Sequence, residues 1–174
     1  QKSMDRAVKK EKLTAADRDA AGARLSYTTH VSDLAECDII IEAIVEELDA
    51  KNALFGELDG ICGDNTIFAS NTSSLTITDM AAATERADRF VGLHFFNPVP
   101  VMKLVEVVKT IVTSAETFDR AHAFAKALGK VPIAAKDNSG FVVNLLLVPY
   151  MLDAIRQLER GVASIEDIDT GMAQ

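Results

Sequence analysis

The chain has 174 residues, of which 48% are hydrophobic and 25% are charged, a composition typical of globular proteins and not of disordered or fibrous ones. Its 18 basic and 26 acidic residues give a net charge of -8 at pH 7, which argues against nucleic acid as a partner. Cys37 and Cys62 have no histidine at metal-ligand spacing, so we predict neither a disulfide framework nor a metal site.

No apolar segment is long enough to span a bilayer, because Asp137 precedes and Asp153 interrupts the most hydrophobic stretch, residues 141–152. We therefore expect no membrane partner. Two free thiols indicate a reducing compartment, which would be the cytoplasm, or the mitochondrial matrix in a eukaryote.

The first residues are typical of the middle of a polar helix, and a helix-start signature at 164–167 has only seven residues after it. We expect a longer native chain.

The first half of the chain predicts strands that alternate with helices. An apolar run at 38–44 predicts a buried strand, and the following pattern predicts a helix over 48–58. The next predicted elements are a strand over 66–70, a helix over 77–84 and a strand over 90–95. This alternation is typical of βαβ units in a parallel, doubly wound sheet.

The order changes after the third strand. The proline-containing loop 97–100 is too short for a parallel crossover, so the strand that follows, 104–108, is predicted to pair antiparallel with 90–95. The remaining predicted elements are a helix over 115–128, a strand over 131–135 and a long helix over 141–160 that Pro149 should kink.

These elements predict an α/β fold with a Rossmann-like, doubly wound and mainly parallel sheet that contains one antiparallel pair. We assign this sheet to residues 1–136 and the start of an all-helical second domain to residues 137–174. The first half of the long helix is apolar on nearly all sides, which predicts that it is buried between domains or subunits.

His94 and Glu106 are each six residues from Pro100, so an antiparallel pairing places the carboxylate opposite the imidazole. A carboxylate in that position fixes the tautomer of the ring and stabilises its charged form, as a general base requires. The alternative is a strand-end histidine in a structural hydrogen bond.

Other polar residues allow two interpretations each. Residues 72–74 follow a strand and could present hydroxyl groups to a ligand, although capping of the next helix is favoured for Ser74. Asn144 lies among apolar residues, where its amide could join a structural network or contact a ligand. Glu46 and Lys51 are, by default, solvated residues at the start of a helix.

Residues 91–108, which read VGLHFFNPVPVMKLVEVV, resemble the L-3-hydroxyacyl-CoA dehydrogenase family, and in particular 3-hydroxybutyryl-CoA dehydrogenases. The resemblance extends through the segments 41–46, 68–75, 140–144 and 159–170. It implies interconversion of L-3-hydroxyacyl-CoA and 3-oxoacyl-CoA by hydride transfer to NAD. It also implies an acyl-CoA substrate and, at full length, a homodimer formed through the helical domain.

By this resemblance, His94 would be the base that removes the hydroxyl proton of the substrate, with Glu106 as its partner. The substrate-binding residues would be Ser73 and Asn144. The cofactor-binding residues would be Glu46, Lys51, Ser73 and Asn97.

The chain also departs from the family pattern. Ser139 and Leu145 stand where many members have Pro and Arg, and a buried Leu145 would remove a possible ion pair near Asn144. The glycine-rich phosphate loop has no counterpart here, so we expect residues 1–136 to lack the first βαβ unit and this segment alone to be inactive. The alternatives are a non-catalytic remnant or assembly module that cannot hold NAD, and a domain of a hydratase-dehydrogenase fusion.

Overall fold

A computed structural model describes residues 2–174 and contains one five-stranded sheet. Its strands, in spatial and chain order, are β1 Ile39–Glu42, β2 Ile67–Ser70, β3 Phe90–Phe95, β4 Leu104–Lys109 and β5 Val131–Lys136. Strands β1, β2 and β3 are parallel, β3 and β4 are antiparallel, and β4 and β5 are parallel. The predicted mainly parallel sheet with one antiparallel pair is confirmed.

The predicted helices occur in the predicted order, and the structure adds one that was not predicted, over residues 15–22. The helices are α1 Lys2–Lys9, α2 Ala15–Gly22, α3 Leu48–Asp59, α4 Ile77–Ala81, α5 Ala115–Ala127, α6 Val143–Glu159 and α7 Ile165–Ala173, with short 3-10 turns at Val31–Leu34 and Ala87–Arg89. Helix α6 begins two residues later than predicted, because Gly140 and Phe141 have φ angles of +78° and +51°. Helices do not contain such left-handed residues.

Helices cover both faces of the sheet, and each face has its own core. Phe55 of α3 packs against Phe68 and Phe90 on one face, with ring centroids 5.6 and 4.6 Å apart. Ala121 of α5 packs on the other face, against a cluster that includes Val107. Because successive strand side chains point to opposite faces, the short apolar strands can line both cores.

The outward side of α6 is apolar and open in this chain. Leu145, which was expected to be buried, is 51% exposed in this chain. Leu146 is 69% exposed and Ile155 is 53% exposed. Burial of this face against another domain or subunit stays a prediction. Within residues 2–174, no helix combines the length and hydropathy required to cross a bilayer.

Gly92 on β3 allows a close approach of three elements near the middle of the sheet. A Cβ atom at this position would lie 2.8 Å from Cβ of Val108 on β4 and 3.1 Å from Cδ1 of Ile77 on α4. Distances below 3 Å cannot be accommodated without movement of the neighbouring atoms. The missing side chain therefore sets the spacing of β3, β4 and α4, two residues before His94.

Replacement of Gly92 by alanine should therefore force β3 away from β4 and α4. We expect Gly92→Ala to lower the free energy of unfolding by about 1–3 kcal/mol, the usual cost of an overpacked core. Urea denaturation monitored by circular dichroism measures this change. Gly56→Ala in α3 is the matched control. Its new Cβ would lie 3.9 Å from its nearest neighbour, the carbonyl oxygen of Ala83, and alanine favours a helix. Equal stability of the Gly92→Ala variant and the parent would contradict the packing argument.

Candidate active site

The candidate site lies where β3 and β4 pair side by side. His94 of β3 is in register with Glu106 of β4, and their side chains meet with Nδ1 2.7 Å from Oε2. His94 is 4% exposed and Glu106 is fully buried. The pairing predicted from their equal distances to Pro100 is thus confirmed. Because a carboxylate can only accept hydrogen bonds, Nδ1 carries the proton in this pair and Nε2 is the acceptor in the neutral ring.

The second oxygen of Glu106 binds the start of helix α6. Its Oε1 accepts hydrogen bonds from the backbone N–H groups of Val142 and Val143, at 3.0 and 2.9 Å. Val142 occupies the N-cap position and has no polar side chain with which to cap the helix. Glu106 supplies that cap from the sheet, where its charge also interacts favourably with the helix dipole. One buried carboxylate therefore connects His94 to the first helix after the sheet.

The other side of the imidazole faces a hydroxyl group. Ser73 Oγ lies 3.0 Å from Nε2 of His94, and Ser73 itself is exposed. The rings of Phe96 and Phe141 flank the imidazole, with centroids 4.6 and 5.5 Å from its centre. The histidine is thus held on both nitrogens and has two aromatic rings beside it. Only the Ser73 side provides a polar approach to Nε2 among these neighbours.

A buried ion cluster lies beside Ser73. Lys51 of α3 is 1% exposed, and its Nζ is 2.6 Å from Oε1 of Glu42 and 3.2 Å from Oε2 of Glu46. The interpretation of Lys51 as a solvated helix-start residue is therefore wrong, because its ammonium group pairs with two carboxylates. Glu46 Oε1 also accepts hydrogen bonds from the Thr72 hydroxyl and, at 3.1 Å, from the Ser73 amide.

These contacts decide the ionisation of Glu46. Burial is the largest single influence and raises the pKa of Glu46, but hydrogen bonds from Thr72, Lys51 and the Ser73 amide, together with the charge of Lys51, outweigh it. The net effect lowers the pKa of Glu46 below its ordinary value. The carboxylate is therefore charged at neutral pH, which suits its role as an acceptor of several hydrogen bonds.

The two candidate asparagines belong to different elements. Asn144 is in the first turn of α6, half-buried, and directly follows Val143, whose amide binds Glu106. Asn97 is exposed in the loop between β3 and β4. Sequence reasoning missed a third one, Asn71, whose Oδ1 accepts a hydrogen bond of 2.8 Å from the Phe95 amide and so ties β2 to the end of β3.

The assignment of Ser74 as a helix cap is wrong. Its hydroxyl donates to Glu46 at 3.2 Å, and α4 begins three residues later, at Ile77. Asp137 caps α4 instead, because its carboxylate accepts from the amides of Ile77 and Thr78 at 3.0 and 2.7 Å. No local sequence signal could have identified this cap, since the two segments are about sixty residues apart.

Among residues 2–174, no group of three or more His, Cys, Asp or Glu side chains is arranged to hold a metal ion.

Two family profiles together match nearly the whole chain. The profile described as "3-hydroxyacyl-CoA dehydrogenase, NAD binding domain" matches residues 1–138, and "3-hydroxyacyl-CoA dehydrogenase, C-terminal domain" matches residues 140–174. The mitochondrial hydroxyacyl-coenzyme A dehydrogenase of Homo sapiens is 64% identical over 135 residues, which cover 78% of this chain and 43% of that protein. A 3-hydroxybutyryl-CoA dehydrogenase of Mycobacterium tuberculosis is 49% identical over 170 residues, which cover 97% of this chain and 59% of that protein.

A similar fold is known from a crystal structure. The (S)-3-hydroxybutyryl-CoA dehydrogenase of Ralstonia eutropha superposes with a TM-score of 0.96 and 51% sequence identity. The superposition covers 98% of this chain and 60% of that one. The chain thus spans about half the length of the relatives that it matches.

The lowered pKa of Glu46 predicts a pH-dependent contribution to stability. The unfolded state, with a glutamate pKa of about 4.3, binds this proton more readily than the folded state does. The contribution is therefore present above that pH and lost as the pH falls through the lower folded-state value. We expect Glu46→Gln to be less stable than the parent at pH 7, and the difference to shrink towards pH 3.

Urea denaturation of both proteins between pH 7 and pH 3 measures this difference. Glu57→Gln, on an exposed position of α3, controls for the loss of one negative charge from an acidic chain. A stability difference for Glu46→Gln that stays constant down to pH 3 would show that its charge is not involved.

Proposed function

The chain belongs to the 3-hydroxyacyl-CoA dehydrogenase family, and from that premise we propose that it interconverts L-3-hydroxyacyl-CoA and 3-oxoacyl-CoA with NAD. The observation that carries the proposal is the buried His94–Glu106 pair with Ser73 at Nε2. This arrangement provides a base, a carboxylate that orients it, and a hydroxyl group next to the position where a proton would be transferred.

In the oxidation direction, His94 acts as the general base. Its Nε2 accepts the proton of the substrate hydroxyl, which converts the ring to an imidazolium ion. Glu106 stabilises that cation through the 2.7 Å contact with Nδ1. NAD, when bound, supplies the acceptor for the hydride that leaves C3 of the substrate. In the reverse direction the imidazolium returns the proton to the forming alkoxide.

Ser73 and Asn144 are proposed to hold the substrate oxygen. The Ser73 hydroxyl is exposed and already bound to Nε2, so a substrate hydroxyl can take its place as the partner of the base or share it. Asn144 can contribute its side-chain amide from the first turn of α6. Since Glu106 binds the start of that helix, the base and Asn144 would be held in one frame.

The residues at this end of the sheet are compatible with the nicotinamide half of the cofactor. Ligands of open α/β sheets bind at the carboxyl ends of the parallel strands, where Glu46, Ser73 and Asn97 expose polar atoms. We propose these three as direct contacts. Lys51 is buried with two carboxylates, so its contribution to cofactor binding would pass through Glu46.

The partners and the domain boundary are proposed on the same basis. We propose an acyl-CoA substrate, a cofactor-binding region up to residue 136 and a helical region from residue 137 that forms a homodimer. The exposed apolar side of α6 supports such an association, because large apolar patches mark interaction surfaces.

A location in the cytoplasm, or in the mitochondrial matrix of a eukaryote, is proposed from the relatives, of which the human one is named mitochondrial.

We expect the protein, purified at its full natural length, to oxidise NADH in the presence of acetoacetyl-CoA. The decrease in absorbance at the NADH band measures the rate, and the L and D forms of 3-hydroxybutyryl-CoA test the stereochemistry of the reverse reaction. A folded protein that neither binds NADH nor turns over any 3-oxoacyl-CoA would instead support an assembly module.

The roles of His94 and Glu106 predict a specific kinetic pattern. Glu106→Gln keeps the side-chain size but removes the charge that stabilises the imidazolium, so we expect kcat to fall by roughly 100-fold or more with little change in KM. His94→Gln should lose at least as much. Because the two residues act as a unit, the double variant should be little worse than His94→Gln alone.

Steady-state kinetics of the two single variants and the double variant test this pattern. His30→Gln is the matched control, since His30 is exposed and lies outside the site, and its kcat should equal that of the parent. Losses that multiply in the double variant would show that Glu106 does not act through His94.

A further inference from the structure

The segment that carries Ser73 is held in place by side chains. We call residues 72–75 the Ser73 loop. Four consecutive amides of this loop donate to side-chain oxygens: Thr72 to Ser70 Oγ at 3.2 Å, Ser73 to Glu46 Oε1 at 3.1 Å, and Ser74 and Leu75 to Thr72 Oγ1 at 3.3 and 3.0 Å. Within residues 2–174, none of these four amides donates to a backbone carbonyl. The conformation of the loop therefore depends on the side chains that accept these bonds.

Glu42 lies at the base of this arrangement and has no role in the proposed reaction so far. It is the last residue of β1 and is 3% exposed. Its Oε2 accepts the Ser70 hydroxyl at 2.6 Å. A hydroxyl group has a single proton, so this bond orients Ser70 with its lone pairs available to the Thr72 amide. Glu42 thereby determines how the first amide of the Ser73 loop is bound.

The other oxygen of Glu42 connects it to the opposite side of the loop. Its Oε1 accepts from Lys51 Nζ and from the Ile44 amide, both at 2.6 Å. Lys51 in turn contacts Glu46, which binds Thr72, Ser73 and Ser74. Two chains of contacts thus start from one buried carboxylate, one through Ser70 and one through Lys51 and Glu46. They meet at the Ser73 loop.

The energetics favour a positional role for this cluster. Ion pairs without access to water contribute little net stability, because desolvation of both charges offsets their attraction. Their hydrogen bonds are directional, however, and fix the partners within a narrow range of distance and angle. A buried Glu–Lys pair beside this loop is therefore better suited to define the loop geometry than to stabilise the fold.

We propose that Glu42 is a positioning residue for the reaction, which through Ser70, Lys51 and Glu46 holds the Ser73 loop so that the Ser73 hydroxyl stays at Nε2 of His94. The kinetic part of this inference rests on the proposed dehydrogenase function. The structural part, the dependence of the Ser73 loop on Glu42, is measurable without any substrate. The two parts are therefore tested separately.

The structural test is hydrogen exchange of the loop amides in the protein at its full natural length, without ligands. Glu42→Gln keeps the size of the side chain but removes the charge and introduces an N–H donor beside Lys51 or Ser70. Ser70→Ala removes a single link and leaves the Glu42–Lys51 pair intact, so it serves if Glu42→Gln does not fold. We expect both variants to exchange the amides of residues 72–75 faster than the parent does.

Asp59→Asn is the matched control for this experiment. It removes the negative charge from another ion pair that is largely shielded from solvent. The side chain of Asp59 is 13% exposed and that of its partner Arg86 is 5% exposed. Asp59 is the last residue of α3, two turns beyond Lys51. We expect this variant to lose stability without a change in exchange of the Ser73 loop. Unchanged exchange of the loop in both Glu42→Gln and Ser70→Ala would overturn the proposal, whatever the activity of the protein.

The kinetic test is a double-mutant cycle between Glu42→Gln and Ser73→Ala. A displaced positioning group costs about 10- to 100-fold in kcat/KM, so we expect a loss in this range for Glu42→Gln in the parent. With NAD saturating, the same substitution in the Ser73→Ala background should change kcat/KM for the substrate little, because the hydroxyl that Glu42 positions is absent. Full multiplication of the two losses would overturn the positioning role, since a residue that only supports the fold acts independently of Ser73. A parent without dehydrogenase activity would refute the proposed function, while the exchange data would still decide the role of Glu42.

Discussion

The charge of Glu106 has to be compensated inside the protein, and the rest of the site depends on how this is done. A buried carboxylate without partners is strongly destabilising, because it has lost its hydration. Glu106 finds three N–H donors, one on the imidazole of His94 and two at the start of α6. The pairing of β3 with β4 supplies the first, and the turn before α6 supplies the others. Displacement of either element would remove part of this compensation in the core, which favours a fixed position of the helix on the sheet.

A second carboxylate makes the complementary connection. Asp137 follows β5 and caps α4 through the Ile77 and Thr78 amides. Helix α4 starts two residues after the Ser73 loop, so Asp137 holds the segment that follows the loop, while Glu46 binds the first three residues of the loop. Glu106 caps a helix that follows it in the chain, α6, whereas Asp137 caps a helix that precedes it, α4. The segment after the Ser73 loop and the helix with Asn144 are therefore both held by carboxylates from the sheet or from the residue directly after it.

The parts of the site that could be predicted are those that follow from local patterns or from strand geometry. The pairing of His94 with Glu106 needed only a tight connection and equal distances from Pro100. The burial of Lys51 could not be predicted, because its partner Glu42 is on a neighbouring strand and a lysine near a helix start is usually solvated. The same reason explains the error at Ser74: a local cap was expected, but Asp137, distant in sequence, took its place. Side-chain contacts across the fold leave no periodic signal in the sequence.

The turn before α6 shows how the backbone accommodates the requirements of Glu106. Gly140 and Phe141 both have positive φ angles, and for a bulky residue such as Phe141 this conformation costs about 1–2 kcal/mol. The next two amides donate to a buried carboxylate, and bonds of this charged kind contribute about 1.5–3 kcal/mol each. The gain exceeds the strain. At the same time the turn buries the Phe141 ring, with its centroid 5.5 Å from that of the His94 ring. The cost of the strained backbone is thus offset by a carboxylate that binds the imidazole and the start of the helix together.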